Sequence, residues 1–517
     1  MNILDRIIGA VAPRAALSRV RARTALKVLM NYDAATPGRR GSSWKPNATD
    51  ADSAAWGKRN RIAFVGRDMV RNTPLAARVQ TVVANNVVGD GILPKVVMGT
   101  GRVTFARGKA SSMKLTGTAK SLSDAMARHL GTTDIDAEGR NTLSGLQRLA
   151  INTVVDSGEV LIRRRPRLAS DGLALPFQLQ VMEPDYLDVM RDGWLDNGNR
   201  VRDGIEYDQI GRRVAYWMFK EHPGATYRTL SLNLTSARVP ASEVIHVYRQ
   251  DRPGQNRGVS WFANIAMALQ DLSDHQDAQL LRQKIAACFA AFRVPAEDED
   301  DNADPSDLSE TIAPGRIQNL GPGEDIKFAE PPGVQGYDEF KRSVLRDIAS
   351  GIGLTYEALS GDLSNVNFSS ARIGRLEMDR AVSSWQWQML IPQMMDPIAR
   401  WVMDAFDTVN GTTTRRAMSI AWVPPHRMLV DPEGEINMSR NKVRAGFTSR
   451  SEIIRGFGED PDEVMAEIMQ DNADADLNEM VFDSDARRVS LSGVVQSVTP
   501  EIQSEPKEDA NAKNAAE

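Results

Sequence analysis

Side chains able to do chemistry are scattered along this sequence rather than gathered. The five histidines, His129, His222, His246, His275 and His426, stand far apart, with no His-x-x-x-His pair and no cysteine partners, a spacing unlike that of a zinc site. His246 lies inside a strand-like run between Ile245 and Val247, where a hydrogen-bonded structural imidazole is expected. The nearest approach to a phosphate-binding loop is Gly108-Lys109, but Val103 stands where the first glycine belongs and Ala110 where a magnesium-holding hydroxyl belongs. The lone cysteine, Cys288, falls on an apolar helical face and reads as a buried structural thiol of a reducing compartment. Carboxylates are plentiful, so a two-metal nuclease assembled from distant acids stays open. Residues 354–371 have the more pointed composition: Ser364, Asn365, Asn367, Ser369 and Ser370 crowd a stretch without Lys or Arg. A loop of that length between helices is usually functional or disordered.

Two helical patterns hold that stretch. From Tyr337 to Gly353 the residues Phe340, Val344, Leu345, Ile348, Ala349 and Ile352 recur at three- and four-residue steps, the period of one buried helical face. The same period resumes at Ile373 and runs through Leu376, Val382, Trp385, Leu390, Met394, Ile398 and Trp401 to Phe406, with Pro392 and Pro397 expected to bend the helix. Upstream, residues 62–83 suit two short helices, with Thr73 as cap and Pro74 in the first turn of the second. Residues 98–117 read as a surface loop and 120–155 as helix. Short runs rich in β-branched and aromatic residues follow at 160–165, 177–182, 213–219 and 243–248, predicting a mainly antiparallel sheet packed on helices, an α+β domain. Helix returns over 260–292, a small β element is expected within 317–328 and a short strand at 419–423, and amphipathic helices fill 435–470.

Composition bounds the rest. A chain of 517 residues has room for several subdomains. No run of about 18 apolar residues is present, so no membrane span is expected, and the patch around Ile3, Ile7 and Ile8 is interrupted by Asp5 and Arg6, unlike a signal peptide. The arm before Ile62 is basic and the end beyond Asp471 acidic. Glu297, Asp298, Asp300 and Asp301 begin a segment, 297–310, that carries eight acids and no base. Such a segment cannot be a core element and reads as an exposed insertion.

Several separated blocks resemble the lambda-type portal proteins of tailed bacteriophages. They are Tyr32-Asp-Ala-Ala with Gly38-Arg-Arg40 and Trp44, then Arg67-Asp-Met-Val-Arg-Asn72 followed by Ala76 and Asn86-Val-Val-Gly-Asp-Gly-Ile92, then Gly158-Glu159. Val244-Ile-His-Val247 with Arg252-Pro-Gly-Gln-Asn-Arg-Gly258 comes next, and the last block runs from Tyr337-Asp-Glu-Phe to Ile348-Ala-Ser-Gly-Ile-Gly-Leu-Thr-Tyr-Glu-Ala-Leu-Ser360. Their order and spacing cover roughly residues 32–457, and the acidic 297–310 insertion departs from the pattern.

The resemblance implies an α+β portal fold in a ring-forming subunit. Residues 1–61 would be a basic, mostly irregular arm, 62–258 an α/β wing, 259–294 the first stem helix and 295–334 a small β-containing clip with the acidic insertion. Residues 335–353 would be the second stem helix, 354–371 the tunnel loop, 372–434 a long kinked helix returning to the wing, 435–482 a helical crown and 483–517 a disordered acidic tail. Function follows by the same resemblance: a non-enzymatic conduit without cofactor or metal, assembled in the host cytoplasm and carried in the virion. Its partners would be other copies of itself, usually as a dodecamer, the terminase large subunit at the clip, capsid and scaffold proteins, head-completion proteins and double-stranded DNA that slides through without sequence preference. A packaging ATPase or a metal-dependent nuclease is the competing reading. The composition of the loop suits a channel, because each phosphate neutralised by Lys or Arg adds a counterion-release term that would make the wall grip the DNA.

Overall fold

A computed structural model describes residues 48–98, 117–225, 235–288, 292–294, 325–327, 336–364, 366–414, 417–425, 431–457, 459, 461–482, 485 and 487–488. The acidic segment with Glu297, Asp298, Asp300 and Asp301, the 99–116 stretch with Gly108-Lys109, most of the basic arm, the end of the tail, His426 and Asn365 lie outside these residues, as does the Cys288 side chain. Two compact units result, residues 1–56 with 251–256, and residues 57–250 with 257–517. In the first, helix α1 (Ala51–Ala55) is capped by Asp50, which accepts from the Ser53 amide at 2.8 Å, and Asp52 accepts from the amide and side chain of Asn256 at 3.1 and 2.7 Å.

The larger unit opens with α2 (Arg59–Asn72) and α3 (Pro74–Val87). Pro74 takes the first turn as expected, but Thr73 caps without a side-chain hydrogen bond. Strand β1 (Leu93–Met98) follows, then α4 (Thr118–Leu130) and α5 (Leu143–Ser157), joined through a short 3-10 turn at Thr133–Ile135. Strands β2 (Glu159–Pro166) and β3 (Phe177–Met182) lead to the short β4 (Gly193–Trp194), β5 (Arg200–Arg202) and β6 (Ile205–Tyr207). β7 (Arg213–Phe219), β8 (Ser236–Pro240) and β9 (Val244–Tyr248) complete the β region. It makes two antiparallel sheets, β3-β2-β9 and the meander β4-β5-β6-β7-β8.

The expected helix over 260–292 is a 3-10 turn, Trp261–Asn264, then α6 (Ala266–Cys288), and the chain leaves it as strand β10 (Phe292–Val294), antiparallel to β11 (Asp325–Lys327). After α7 (Tyr337–Ile352) comes a one-turn helix α8 (Tyr356–Ser360), then α9 (Phe368–Ser384). The helix expected to bend at two prolines widens into a π-helix over Trp385–Met395, with Pro392 inside it, before α10 (Asp396–Asn410) restarts with Pro397 in its first turn. Proline lacks the N–H of a normal turn and clashes with the carbonyl four residues back; a wider turn accommodates both. Strand β12 (Met418–Val423) then pairs with β1 from the far end of the sequence, and α11 (Pro432–Arg444), α12 (Arg450–Gly456) and α13 (Pro461–Leu477) close the described chain.

One continuous core joins α3, α5, α7, the π-helix and α10 through Val83, Ile151, Ile348, Leu390, Met394 and Val402. A satellite cluster around Leu161, Ile205, Tyr216 and Met218 binds the two sheets together. Gln147, buried on α5, serves as a surrogate strand: its side-chain oxygen accepts from the Ile92 amide and its NH2 donates to the Ile92 carbonyl, both at 2.8 Å.

At the start of β2 a buried carboxylate ties α5, β2, β9 and the chain entering α6 together. Gly158 sits at φ +93 and ends α5; a Cβ on it would lie 2.3 Å from the carbonyl carbon of Val259, and one on Gly258 would lie 2.1 Å from the Gly158 oxygen. Because both are glycine, the chain entering α6 lies directly on the α5–β2 junction. Glu159 is thereby enclosed. It accepts from Arg257 Nε at 2.9 Å, from the Arg257 Nη2, from the Gly258 amide at 2.8 Å and from His246 Nε2 at 2.9 Å. With Nε2 donating, His246 turns Nδ1 toward Arg213 Nη1 at 3.5 Å, which fixes the tautomer from both sides. His246 is thus the structural imidazole that the strand pattern implied.

Titration here has a sign that can be read. Burial lowers His246 to about 4, while burial raises Asp156, at the end of α5, to about 6. Between pH 6.5 and 4 the unfolded chain protonates its histidine and the folded one does not, so stability falls with acid; over nearly the same window folded Asp156 takes a proton before its unfolded counterpart, which opposes that loss. Each contribution is about 3 kcal/mol at full extent. The intact protein should therefore show little net pH dependence from this pair. His246→Gln, which keeps a donor to Glu159, should gain stability as pH falls from 6.5 to 4.5, and Asp156→Asn should lose it, read as opposite shifts in thermal midpoint. Parallel shifts in the two variants would refute the assignment.

Candidate functional site

The stretch 354–371 is more ordered than its composition suggests. α7 ends at Gly353, whose φ of +85 lets its amide reach the carbonyls of Ala349 and Ser350, and Leu354 follows into the core. Thr355 then accepts from the Ala358 amide at 3.2 Å and starts α8, and Gly361, at φ +73, closes it. A second cap ends the stretch early: Asn367 Oδ1 accepts from the Ser370 amide at 2.8 Å, so α9 begins at Phe368. The expected single loop reduces to residues 361–367 between two capped helices.

Asp362 organises what remains. It accepts from the Ser364 hydroxyl at 2.6 Å, the Ser364 amide at 3.0 Å and the Tyr356 hydroxyl at 3.0 Å, and the Ser364 donors lead in holding its carboxyl down to about 2. Of the site residues named from sequence, Ser364 is therefore an exposed donor to Asp362, Asn367 is a helix cap, and the Ser370 hydroxyl donates to the Asn367 carbonyl at 3.0 Å. Ser369 lies in the first turn of α9.

Although the stretch itself has no base, three arginines from neighbouring helices meet it. Arg78 of α3 donates Nε to the carbonyls of Ala358 and Leu359 at 3.1 and 2.9 Å, where the C-terminus of α8 favours a cation. Arg342 of α7 pairs with Asp338 at 2.9 Å and approaches Asp362 at 3.9 Å, and the Arg346 guanidinium sits over the Tyr356 ring. Sequence spacing could not reveal Arg78, which is nearly 300 positions away. Behind the segment lies a cleft of about 610 Å³ lined by Asn86, Asp90, Arg148, Thr355, Leu363 and Met378 among others.

Among the described residues the histidines do not converge. His129 Nε2 is 2.9 Å from the Phe177 carbonyl in the core, and His275 stacks on Tyr337 across α6 and α7. His222, Glu183 and Asp185 bring ligand atoms within 4.8 Å of one another, a grouping seen once among the described residues. Arg67 already donates to both of those carboxylates, at 2.8 and 2.7 Å, and so supplies the positive charge there.

The surface carries a further signal. Leu280 and Leu281 on α6, Phe340 on α7, and Ile373 and Leu376 on α9 are each about half exposed or more. The helical period marked Phe340, Ile373 and Leu376 for burial; the subunit leaves them at its surface.

Residues 37–386 match the family described as "Phage portal protein, lambda family". The chain is 26% identical to a probable portal protein of Halomonas phage phiHAP-1, over 84% of each chain. It is 22% identical to the portal protein of Escherichia phage N15, covering 87% of this chain and 91% of that one, and 21% identical to portal protein B of Escherichia phage lambda, covering 82% and 86%. Among solved structures, the neck of a native GTA particle with C12 symmetry superposes with a TM-score of 0.46 at 15% identity, over 78% of this chain and 95% of that one.

Proposed function

The chain belongs to the lambda family of phage portal proteins, and on that premise we propose how its parts divide the work of a portal. The family is structural, so the protein is a capsid-vertex component of the virion and not an enzyme. In our reading the subunits close into a dodecameric ring in which α6 and α7 are the stem and residues 361–367 face the axial channel. The acidic 297–310 segment would sit in the clip and meet the terminase large subunit, whose place head-completion proteins later take. Double-stranded DNA would pass without being held.

The observation that carries this reading is the exposure of apolar side chains, Leu280, Leu281, Phe340, Ile373 and Leu376, on helices whose period marks several of them for burial. Obligate interfaces bury roughly 2,000–5,000 Å² and are apolar, and these helices offer such a surface. Within the segment facing the channel, hydroxyls and amides exchange hydrogen bonds readily, while Asp362 and Asp338 engage Arg342 and the α8 carbonyls engage Arg78. Electron microscopy of the purified protein should show rings with an axial hole. Monomer alone at tens of micromolar, with and without co-expressed scaffold protein, would refute the ring.

A further inference from the structure

The run Arg163-Arg164-Arg165 falls inside β2, and the strand divides it, because successive side chains point to opposite faces. Arg164 goes to the core side, where its guanidinium lies over the Phe177 and Trp401 rings. Arg163 and Arg165 go to the other side. Arg167 joins them there, since its amide bonds the Pro176 carbonyl at 3.0 Å and carries the ladder with β3 past Pro166. All three are half-buried. Arg165 donates through Nε to Gln180 Oε1 at 2.9 Å and Arg167 through Nε to Gln178 Oε1 at 2.7 Å, so both meet neutral amide oxygens. Arg163 makes no side-chain hydrogen bond among the described residues and interacts with Glu243 through space. Residues 160–170 hold four arginines and no acid, and neither β3 nor β9 carries a carboxylate. Burial, then repulsion from Arg163 and Arg167, lowers the Arg165 guanidinium from its ordinary value.

We infer that this face of β2 and β3 is a phosphate-backbone site for double-stranded DNA, separate from the segment 361–367 and independent of where that segment lies. A guanidinium grips a phosphate through two parallel N–H groups, and Arg163, Arg165 and Arg167 each keep donors beyond the bonds described. Alternate residues of a strand stand about 6.8 Å apart, close to the spacing of neighbouring phosphates along one strand of nucleic acid. The face also lacks what a protein partner would need. No large apolar side chain is exposed on β2 or β3, and Leu168 lies beyond the strand's end. Protein interfaces centre on buried apolar and aromatic anchors, whereas surfaces for DNA are polar and strongly positive. Because neutralised phosphates resist sliding, this face serves duplex held against the subunit rather than duplex in transit.

Binding of a short mixed-sequence duplex to the full chain, followed over a salt series, tests the site. Arg163→Gln, Arg165→Gln and Arg167→Gln together should reduce the slope of log affinity against log salt by about 2–3, since each neutralised phosphate contributes about 0.9. Arg164→Gln, on the opposite face, should leave the slope unchanged. Lysine at the same three positions keeps the charge and should hold the slope while binding more weakly. Arg163→Gln alone breaks no hydrogen bond of the fold and should lower the slope by about 1, which keeps the test decisive if the triple variant does not fold. An unchanged slope in the Gln variants, an equal fall in Arg164→Gln, a slope lost in the Lys variants, or no duplex binding by the wild-type chain at low salt would each overturn the site. The channel reading would stand in every case, since it uses neither β2 nor β3. Polyglutamate bound as tightly as duplex, and lost with it in the Gln variants, would assign the face to an acidic protein instead.

Discussion

Replacing Glu159 with Gln should lower the unfolding free energy by about 3–5 kcal/mol, because the isostere leaves the Arg257 guanidinium buried without its counter-charge. Glu159 and Arg257 are 1% and 2% exposed, so water cannot compensate. Burial alone would push this carboxyl up; Arg257 and the His246 hydrogen bond overcome that and hold it well below the usual range. Its stabilising effect is thus present above the unfolded value near 4.5 and is lost only as pH falls beneath it, so acid unfolding should begin there. The comparison that isolates the mechanism is Glu159→Leu combined with Arg257→Met, which removes both charges and should cost less than Glu159→Gln alone. Chemical unfolding followed by near-ultraviolet dichroism measures both. Equal losses, or a larger loss in the pair, would mean that shape rather than charge holds this junction.

That junction explains what could be read from the residues and what could not. Gly158-Glu159, His246 and Arg257-Gly258 each belong to a block that resembles portal proteins, but their meeting around one carboxylate depends on β2 pairing with β9 in a register that sets Leu161 opposite His246. Local period found α3, α5, α7 and strands β2, β3, β7, β9 and β12, whose side chains repeat against a buried face. It missed β1, where Pro94 and Lys95 break the alternation and pairing is with β12, more than 300 positions on. It missed β4, β5 and β6 too, which are two or three residues long and owe their order to the meander. In 354–371 the polar composition concealed two helix caps: Thr355 and Asn367 favour loops and caps for the same reason, a side-chain oxygen that accepts from the backbone. The meeting of Arg78 with the α8 carbonyls, across nearly 300 positions, is a tertiary fact.

Ser364→Lys should slow or stop DNA packaging, most at low salt. Ser364 is exposed beside Asp362, and the substitution keeps its backbone amide bond to Asp362 while replacing the hydroxyl with an ammonium group. If residues 361–367 line the channel, rotational symmetry repeats that ammonium group in every subunit, and the duplex meets a ring of cations at one level. Binding that engages 6–10 phosphates weakens by roughly 10³–10⁵ between 50 and 200 mM salt, so a ring of lysines able to engage even part of that number would turn a sliding contact into a salt-dependent grip. Wild type lacks this term within the segment, which carries no Lys or Arg, and nearby Arg78 and Arg342 are engaged by helix carbonyls, Asp338 and Asp362. Ring assembly and terminase docking should be unchanged, since neither uses the segment in the proposed arrangement. The measurement is the length of DNA protected from nuclease in an in vitro packaging reaction over a salt series. Asn367→Ala is the control, because it removes a helix cap worth about 1 kcal/mol without adding charge. If Ser364→Lys rings package full-length DNA at wild-type rates in low salt, the segment does not face the duplex, and the channel wall must be sought on another element.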